Sequence, residues 1–172
     1  MTKPSVSIII STYNSEVWLE KVLWSYEAQV FKDFEIIIAD DGSKKPTFDL
    51  LDRMKLLVGY PIIHVWHEDN GFQKTMILNK AIQKCKADYV LMSDGDCIAR
   101  EDFVKVHIDN REEGFFLSGG YFKLPMPISE HITKADILSQ HCFNLKWLKS
   151  NGLKSSFKNN REDTCGYPYC CP

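Results

Sequence analysis

The sequence predicts an α/β fold with a mostly parallel central sheet and helices on both of its faces. Short runs rich in β-branched residues alternate four times with segments of helical periodicity along residues 1–96, a pattern typical of parallel sheets. Polar stretches directly follow three of the four runs. Because ligands of such sheets bind beyond the carboxyl ends of the strands, these stretches indicate where the functional site lies.

The first half of the predicted sheet begins with Val6 to Ile10, an apolar run of the kind that is buried on both faces. The second strand, Phe34 to Ala39, ends at Asp40-Asp41-Gly42-Ser43, where glycine and acidic residues favour a turn. Pro46 then suits the first turn of a helix that runs to about Leu57. Between the strands, apolar residues at three- and four-residue spacing predict an amphipathic helix: Trp18, Leu19, Val22, Leu23 and Tyr26.

The second half of the sheet follows the same alternation. Ile62 to Trp66 is the predicted third strand, and Tyr89 to Met92 is the fourth, ending at Ser93-Asp94-Gly95-Asp96. The helix between them is predicted from four apolar positions: Leu78, Ala81, Ile82 and Cys85. Beyond the fourth strand we expect a helix, a strand pair and a further helix, in that order: Glu101 to Arg111, Phe115 to Leu124, and Ile137 to Leu148.

Length and composition limit the classes of protein. The 172 residues suit one domain, and a net charge of -2 without a basic stripe excludes a nucleic-acid partner. The apolar runs are far shorter than the ~20 residues of a membrane span, and the first residues do not form a signal peptide. We therefore expect a cytoplasmic protein without a transmembrane segment, which could associate peripherally with the inner face of the membrane. Six cysteines without a C-x-x-C pair favour reduced thiols.

The positions of the glycines discriminate among nucleotide-binding sites. Dinucleotide and P-loop sites need a glycine-rich turn after the first strand, so that the backbone can approach the phosphates. Sugar-phosphate nucleotidyltransferases place a glycine-rich loop at the same position. The first glycine of this chain is Gly42, which excludes all three kinds of site. Any phosphates must be held in another way.

A divalent metal bound at Asp94-Gly95-Asp96 could hold the phosphates. Each carboxylate would repel a diphosphate by roughly 4 kcal/mol at ~4 Å and an effective dielectric of ~20, so a cation has to lie between them. Mg²⁺ and Mn²⁺ accept oxygen ligands from carboxylates and phosphates. An EF-hand is excluded because Ala99 and Lys105 stand where its glycine and glutamate belong. On the triplet alone, a capped turn between strand and helix remains the alternative.

Four segments in order resemble the successive motifs of family 2 glycosyltransferases with the GT-A fold, the nucleotide-diphospho-sugar transferase fold. The match extends through about Asp109, and the Gly71-Phe72-Gln73 and Asp94-Gly95-Asp96 variants look most like bacterial enzymes that build lipopolysaccharide core or other surface polysaccharides. The resemblance implies a nucleotide-sugar-binding half at 1–110 and a partial acceptor-side half at 111–172. The four segments are Val6 to Asn14, Ala39 to Ser43, Asn70-Gly71-Phe72 with Asn79 to Ile82, and Ala87 to Asp96.

The resemblance also implies roles at the nucleoside end of a bound donor. Ser11 and Tyr13 would line the base and ribose. Asp40 would accept a hydrogen bond from the ring N–H of uracil, and its alternative is an aspartate that caps the turn.

At the phosphate end, the resemblance implies that Asp94 and Gly95 face the ribose and donor sugar. Asp94 and Asp96 would hold Mn²⁺ or Mg²⁺ at the diphosphate. Leu78 stands where many family members have arginine, which leaves Lys74 to meet the phosphate charge unless it is a solvated helix residue.

The implied reaction is the inverting transfer of a sugar from a nucleoside diphosphate sugar, in particular a uridine diphosphate sugar, to a glycan or lipid-linked acceptor in bacterial cell-surface polysaccharide synthesis. The family's catalytic base is the aspartate of a Glu-Asp pair, which assigns Asp163 here, with a surface pair as the alternative. No Gly-Trp-Gly precedes Glu162-Asp163, and the sequence stops nine residues later. We therefore expect truncation at the C-terminus. The alternative function is a truncated or partner-completed nucleotide-sugar-binding module without turnover.

Overall fold

The computed structural model describes residues 3–153 and, as backbone only, 169–171. The chain divides into two compact units, Met1–Leu23 with Phe31–Asp96 and Trp24–Val30 with Cys97–Pro172. Within residues 3–153, no helix combines the length and apolar character that a bilayer crossing requires.

The first unit is built on a four-stranded parallel sheet in the order β3-β2-β1-β4. Its strands are β1 (Val6–Thr12), β2 (Phe34–Asp40), β3 (Ile62–Trp66) and β4 (Val90–Asp94). All seven residues of β1 and all seven of β2 are buried, as their continuous apolar runs predict. The predicted α/β class with a parallel central sheet is confirmed.

Three helices connect these strands: α1 (Glu16–Glu27), α2 (Lys45–Lys55) and α3 (Lys74–Ile82). α2 has a proline in its first turn, as predicted. α3 begins four residues before the apolar stripe from which it was predicted and packs Ile77 and Ala81 against the strands. The resulting core cluster consists of Ile9, Ile37, Ala39, Val65, Ile77 and Ala81.

The strand order reverses direction once, at β1. β2 and β3 extend the sheet on one side of β1, and the chain then returns to add β4 on the other side. In open parallel sheets, ligands bind in the crevice outside the carboxyl ends of the strands at such a switch point. The register aligns Ser11 of β1 with Asp94 of β4 at this end. Topology therefore brings the first and last polar loops together.

The second unit contains a small sheet and short helices. Its sheet has the order β5-β7-β6, in which β7 runs antiparallel to β5 and parallel to β6. Gln29 supports α4, because its Oε1 accepts from the Val104 amide at 2.9 Å. The elements are β5 (Ile98–Ala99), α4 (Phe103–Asn110), β6 (Tyr121–Lys123), α5 (Met126–His131), α6 (Lys134–Leu138), a 3₁₀ turn (His141–Phe143), α7 (Leu145–Ser150) and β7 (Tyr169–Cys171).

Two sequence expectations fail in this unit, whereas the helix expected at 101–111 is found as α4. The helix expected at 137–148 is interrupted because Gln140 adopts the left-handed region at φ 60°. Asn144 then caps a new helix by accepting from the amides of Lys146 and Trp147. The strand pair expected at 115–124 is reduced to β6, since only 121–123 find a hydrogen-bonded neighbour, in β7.

The cysteines differ from the expected uniform reduced state. Cys85 and Cys142 are free thiols, and burial raises the pKa of Cys85. Cys97 is disulfide-bonded, so the expectation is wrong at that position. Spacing along the chain does not report which thiols meet in space.

Candidate functional site

A cavity of about 480 Å³ lies at the carboxyl ends of β1, β2 and β4. Its volume falls within the roughly 300–1,000 Å³ of small-molecule sites, and its position is the one expected from the polar strand ends. Its walls come from the ends of these strands, the loops that follow all four strands of the sheet, and the first turn of α3: Ser11, Thr12, Tyr13, Ser15, Ala39, Asp41, Asp69, Gly71, Phe72, Lys74, Ile77, Asp94, Gly95 and Asp96.

Asp94 is held by two donors. The Ser11 hydroxyl donates to its Oδ1 at 2.7 Å, and the Lys74 ammonium donates to the same oxygen at 2.6 Å. Burial opposes ionisation of Asp94, but the hydrogen bonds from Lys74 and Ser11 outweigh it and lower the pKa. Oδ2 accepts no hydrogen bond from residues 3–153. Asp94 is therefore an oriented carboxylate with one oxygen open to a ligand.

Asp96 forms an acidic pair with Asp94. Carboxylate oxygens of the two residues lie within 4.8 Å of each other. Burial raises the pKa of Asp96, and the charge of Asp94 raises it further. A divalent cation would relieve this repulsion, and hard oxygen donors are the ligands that Mg²⁺ and Mn²⁺ prefer. The donor set fits such a metal.

Gly95 keeps the acidic loop against β1. Its amide donates to the Ser11 carbonyl oxygen at 2.8 Å. A Cβ at this position would lie only 2.7 Å from that oxygen, closer than real Cβ contacts. The loop can therefore approach the strand only with glycine between the two carboxylates.

Thr12 presents an unsatisfied hydroxyl at the cavity wall. The residue is 8% exposed, and its Oγ1 finds no hydrogen-bond partner in the part of the chain that the structure describes. A buried polar group without a partner costs about 1–3 kcal/mol. Such groups are rare in folded proteins, and this hydroxyl is covered from solvent, so it marks a local cost at the end of β1 rather than a contact for a ligand.

Tyr13 and Asp69 form a second wall of the cavity. The Tyr13 hydroxyl donates to Asp69 Oδ2 at 2.9 Å, and the Gly71 amide donates to Asp69 Oδ1 at 3.1 Å. The shared hydrogen bond raises the pKa of Tyr13 and lowers that of Asp69. Tyr13 is half exposed and Phe72 is 87% exposed, so aromatic surface faces the solvent beside the acidic groups.

The two aspartates at the carboxyl end of β2 have different environments. Asp40 is fully buried and does not line the cavity. It caps the turn by accepting from the Ser43 amide at 2.8 Å and lies 2.8 Å from His64 Nε2. Asp41 is the one that lines the cavity. His64 on β3 lies opposite Ile38 in the strand register. This histidine is the sequence signal that could have distinguished Asp40 from Asp41.

Asn14 ties the loop after β1 to the loop after β2. The backbone amide of Asn14 donates to Ser43 Oγ at 2.8 Å, and its side-chain Oδ1 accepts from the backbone amide of Lys44 at 2.9 Å. The residue has a positive φ of 44°, which asparagine tolerates better than most residues. The two loops are thus fixed to each other without a ligand.

Six of the predicted site residues line one cavity, and their roles remain predictions. Asp40 is not among them, and Thr12, Asp41, Asp69 and Phe72 were missed. Glu162 and Asp163 lie outside the described residues. The six are Ser11, Tyr13, Lys74, Asp94, Gly95 and Asp96.

Comparison with known protein families identifies the chain. The model of the family described as "Glycosyl transferase family 2" matches residues 7–163. The chain belongs to glycosyl transferase family 2. This family 2 chain is 32% identical over 117 residues to undecaprenyl-phosphate 4-deoxy-4-formamido-L-arabinose transferase of Pseudomonas fluorescens, covering 66% of the chain and 34% of the relative. It is 31% identical over 121 residues to the uncharacterized glycosyltransferase YfnE of Bacillus subtilis, covering 68% and 30%.

The chain therefore spans about one third of the length of these curated relatives. Solved structures agree on the fold of this family 2 chain. S. aureus TarS 1-349 superposes with a TM-score of 0.54 at 23% identity, over 61% of this chain and 31% of that one. The mannosyltransferase PcManGT from Pyrobaculum calidifontis, in complex with GDP-Man and Mn²⁺, gives 0.55 at 18% identity over 76% and 38%. The expected GT-A fold is confirmed.

Proposed function

We propose that this chain binds a nucleoside diphosphate sugar, in particular a uridine diphosphate sugar, and transfers the sugar with inversion. The observation that carries the proposal is the cavity at the β1–β4 switch point, with Asp94, Gly95 and Asp96 in its wall. TarS, whose structure superposes on this chain with a TM-score of 0.52, has been solved in complex with UDP-GlcNAc. PcManGT has been solved with GDP-Man and Mn²⁺. These complexes support a nucleotide sugar as the ligand.

The nucleoside would occupy the side of the cavity near Tyr13. Because Asp40 is buried in its turn, we assign the acceptor for the uracil ring N–H to Asp41, which lines the cavity. Ser11 and Tyr13 would line the base and ribose.

The diphosphate would lie beside Asp94 and Asp96, which would hold Mn²⁺ or Mg²⁺. When bound, such a cation offsets phosphate charge and stabilises the leaving nucleoside diphosphate. The Lys74 ammonium, 2.6 Å from Asp94, would donate to a phosphate oxygen from the start of α3.

The acceptor hydroxyl would attack the anomeric carbon in line, while a carboxylate base takes its proton. A positioned base contributes typically 10²- to 10⁴-fold, and Asp163 is our candidate. The name of the Pseudomonas fluorescens relative indicates an undecaprenyl-phosphate substrate. This supports a glycan or lipid-linked acceptor in bacterial cell-surface polysaccharide synthesis, with the protein working in the cytoplasm at the inner face of the membrane.

The alternative function is a nucleotide-sugar-binding module without turnover. The chain spans about one third of the length of its curated relatives. Both functions use the same cavity and differ only in catalysis.

Calorimetric titration with and without Mn²⁺ tests the site. We expect UDP to bind more tightly than ADP and only weakly with a chelator present, whereas uridine should bind independently of metal. Asp96→Asn should abolish the Mn²⁺ enhancement, because a neutral amide does not offset the charge of the cation. Asp88→Asn, at a side chain that is 94% exposed, is the matched control.

Three outcomes would contradict parts of the proposal. Equal or better binding of ADP would refute uracil recognition, and a full Mn²⁺ enhancement in Asp96→Asn would refute the ligand assignment. To separate the two functions, the chain is incubated with UDP-glucose or UDP-GlcNAc, Mn²⁺ and undecaprenyl phosphate as the acceptor. Appearance of the glycosylated lipid together with UDP supports the transferase, whereas tight donor binding without transfer contradicts it and supports the module.

A further inference from the structure

A histidine connects the cavity wall to helix α3. His67 follows β3, and its side chain is 9% exposed. Its Nε2 lies 2.7 Å from Asp41 Oδ1, and its Nδ1 lies 3.2 Å from the Lys80 ammonium on α3. A continuous chain of three polar groups thus runs from an exposed lysine to the cavity.

The partners of His67 determine where its proton lies. A lysine ammonium has three donors and no acceptor, so Nδ1 has to accept from Lys80. The ring proton of a neutral imidazole is then on Nε2 and is donated to Asp41. An imidazolium would instead direct an Nδ1–H at the ammonium 3.2 Å away. The geometry therefore favours the neutral Nε2–H tautomer.

This arrangement fixes Asp41 as an ionised acceptor. Its side chain is only 9% exposed, and a buried carboxylate needs hydrogen-bonded partners. His67 donates to Oδ1, and the Gln73 amide at the start of α3 donates to Oδ2 at 2.9 Å. Each carboxylate oxygen can accept two hydrogen bonds. Asp41 thus retains acceptor capacity toward the cavity, and it has no proton to donate.

We propose that His67 and Lys80 are positioning residues that hold Asp41 as a fixed acceptor, so that the cavity selects nucleobases with a ring N–H, uracil or guanine, over cytosine and adenine. The inference rests on the proposed function, because it takes the ligand to be a nucleoside diphosphate. Uracil N3 and guanine N1 carry a hydrogen, whereas cytosine N3 and adenine N1 present lone pairs to the carboxylate. A hydrogen bond to a charged group corresponds to roughly 10- to 100-fold in affinity.

Titration of the full chain with three ligands in the presence of Mn²⁺ tests this role. UDP, CDP and N3-methyl-UDP differ at the ring nitrogen, and we expect UDP to bind about tenfold or more tightly than the other two. Lys80→Met should weaken UDP binding about threefold or more and leave N3-methyl-UDP binding unchanged. Lys84→Met, at an exposed lysine beyond the end of α3, should change neither. His67→Leu should remove the selectivity, and His67→Gln, which keeps an N–H donor, should restore part of it.

NMR of the histidine ring nitrogens reports the tautomer of His67 directly, without a ligand and independently of any change in protein stability. With His67 assigned from the His67→Gln spectrum, wild type should show the neutral Nε2–H tautomer, and Lys80→Met should not retain it as the only form. A His67 that is protonated on Nδ1 in wild type overturns the inference. The inference is also overturned if Lys80→Met weakens the binding of UDP and of N3-methyl-UDP equally. In that case, UDP binding by the wild-type protein would still support the proposed function. A wild type that binds no nucleotide refutes both.

Discussion

Replacing Gly95 with alanine should disturb the acidic loop and β1 together. The new methyl group would lie 2.7 Å from the Ser11 carbonyl oxygen and 3.4 Å from Thr12 Oγ1. The oxygen belongs to a central strand whose residues are all buried, so it has little freedom to move away. Overpacking of this kind costs about 1–3 kcal/mol. We expect the free energy of unfolding to fall by that amount and the Asp94–Asp96 loop to move away from β1.

Urea denaturation and calorimetry of UDP with Mn²⁺ measure the two effects. Gly114→Ala is the control, because Gly114 has φ +80° and no neighbour within 4 Å of its Cβ position. It should cost about 1–2 kcal/mol through backbone strain and leave nucleotide binding intact. If Gly95→Ala unfolds within about 0.5 kcal/mol of wild type, the range of a neutral surface change, and binds UDP normally, the close approach is refuted.

Three further perturbations test other parts of the molecule. Ser7→Ala removes a donor 2.8 Å from the buried Glu35 carboxylate and should lower the free energy of unfolding by about 1–3 kcal/mol, measured by urea denaturation; no change would contradict this. Tyr13→Phe removes the hydrogen bond to Asp69 and should lower the free energy of unfolding most between about pH 4 and pH 10. The bond lowers the pKa of Asp69, so its contribution is lost as the pH falls and Asp69 is protonated. It raises the pKa of Tyr13, so its contribution is also lost as the pH rises and Tyr13 ionises. Unfolding curves across pH would show a constant difference if the pair were absent. Asp163→Ala should leave UDP affinity unchanged and lower sugar transfer about 10²-fold or more, and an unchanged rate would exclude Asp163 as the base.

The parallel sheet and the location of the site could be predicted because both follow from local patterns. Val6 to Ile10 and Phe34 to Ala39 are continuous apolar runs, and only a strand covered on both faces buries every residue of such a run. Once the strands are parallel, their carboxyl ends share one edge, so the polar loops that follow them were expected to lie there. The order of the strands was not predicted, and it is this order that brings Ser11 within 2.7 Å of Asp94.

What failed depends on contacts between distant segments. Asp40 and Asp41 are adjacent and chemically identical, and contacts with distant residues distinguish them: Asp40 meets His64 on β3, whereas Asp41 meets His67 in the loop after β3. The break at Gln140 has a similar origin, since an apolar stripe continues through it and a single left-handed residue ends the helix. Neither periodicity nor composition encodes these choices.

The position of β1 between β2 and β4 also has a consequence for synthesis of the protein. The Ser11–Asp94 bond joins residues 83 positions apart, and ribosomes add about 5–20 residues per second. For roughly 4–17 s, the backbone N–H and C=O groups along the β4-facing edge of β1 lack their partners, and such an unpaired edge is the kind of surface that pairs with other chains. The cavity also stays incomplete during that interval, because Asp94, Gly95 and Asp96 are the last residues of its wall to be made.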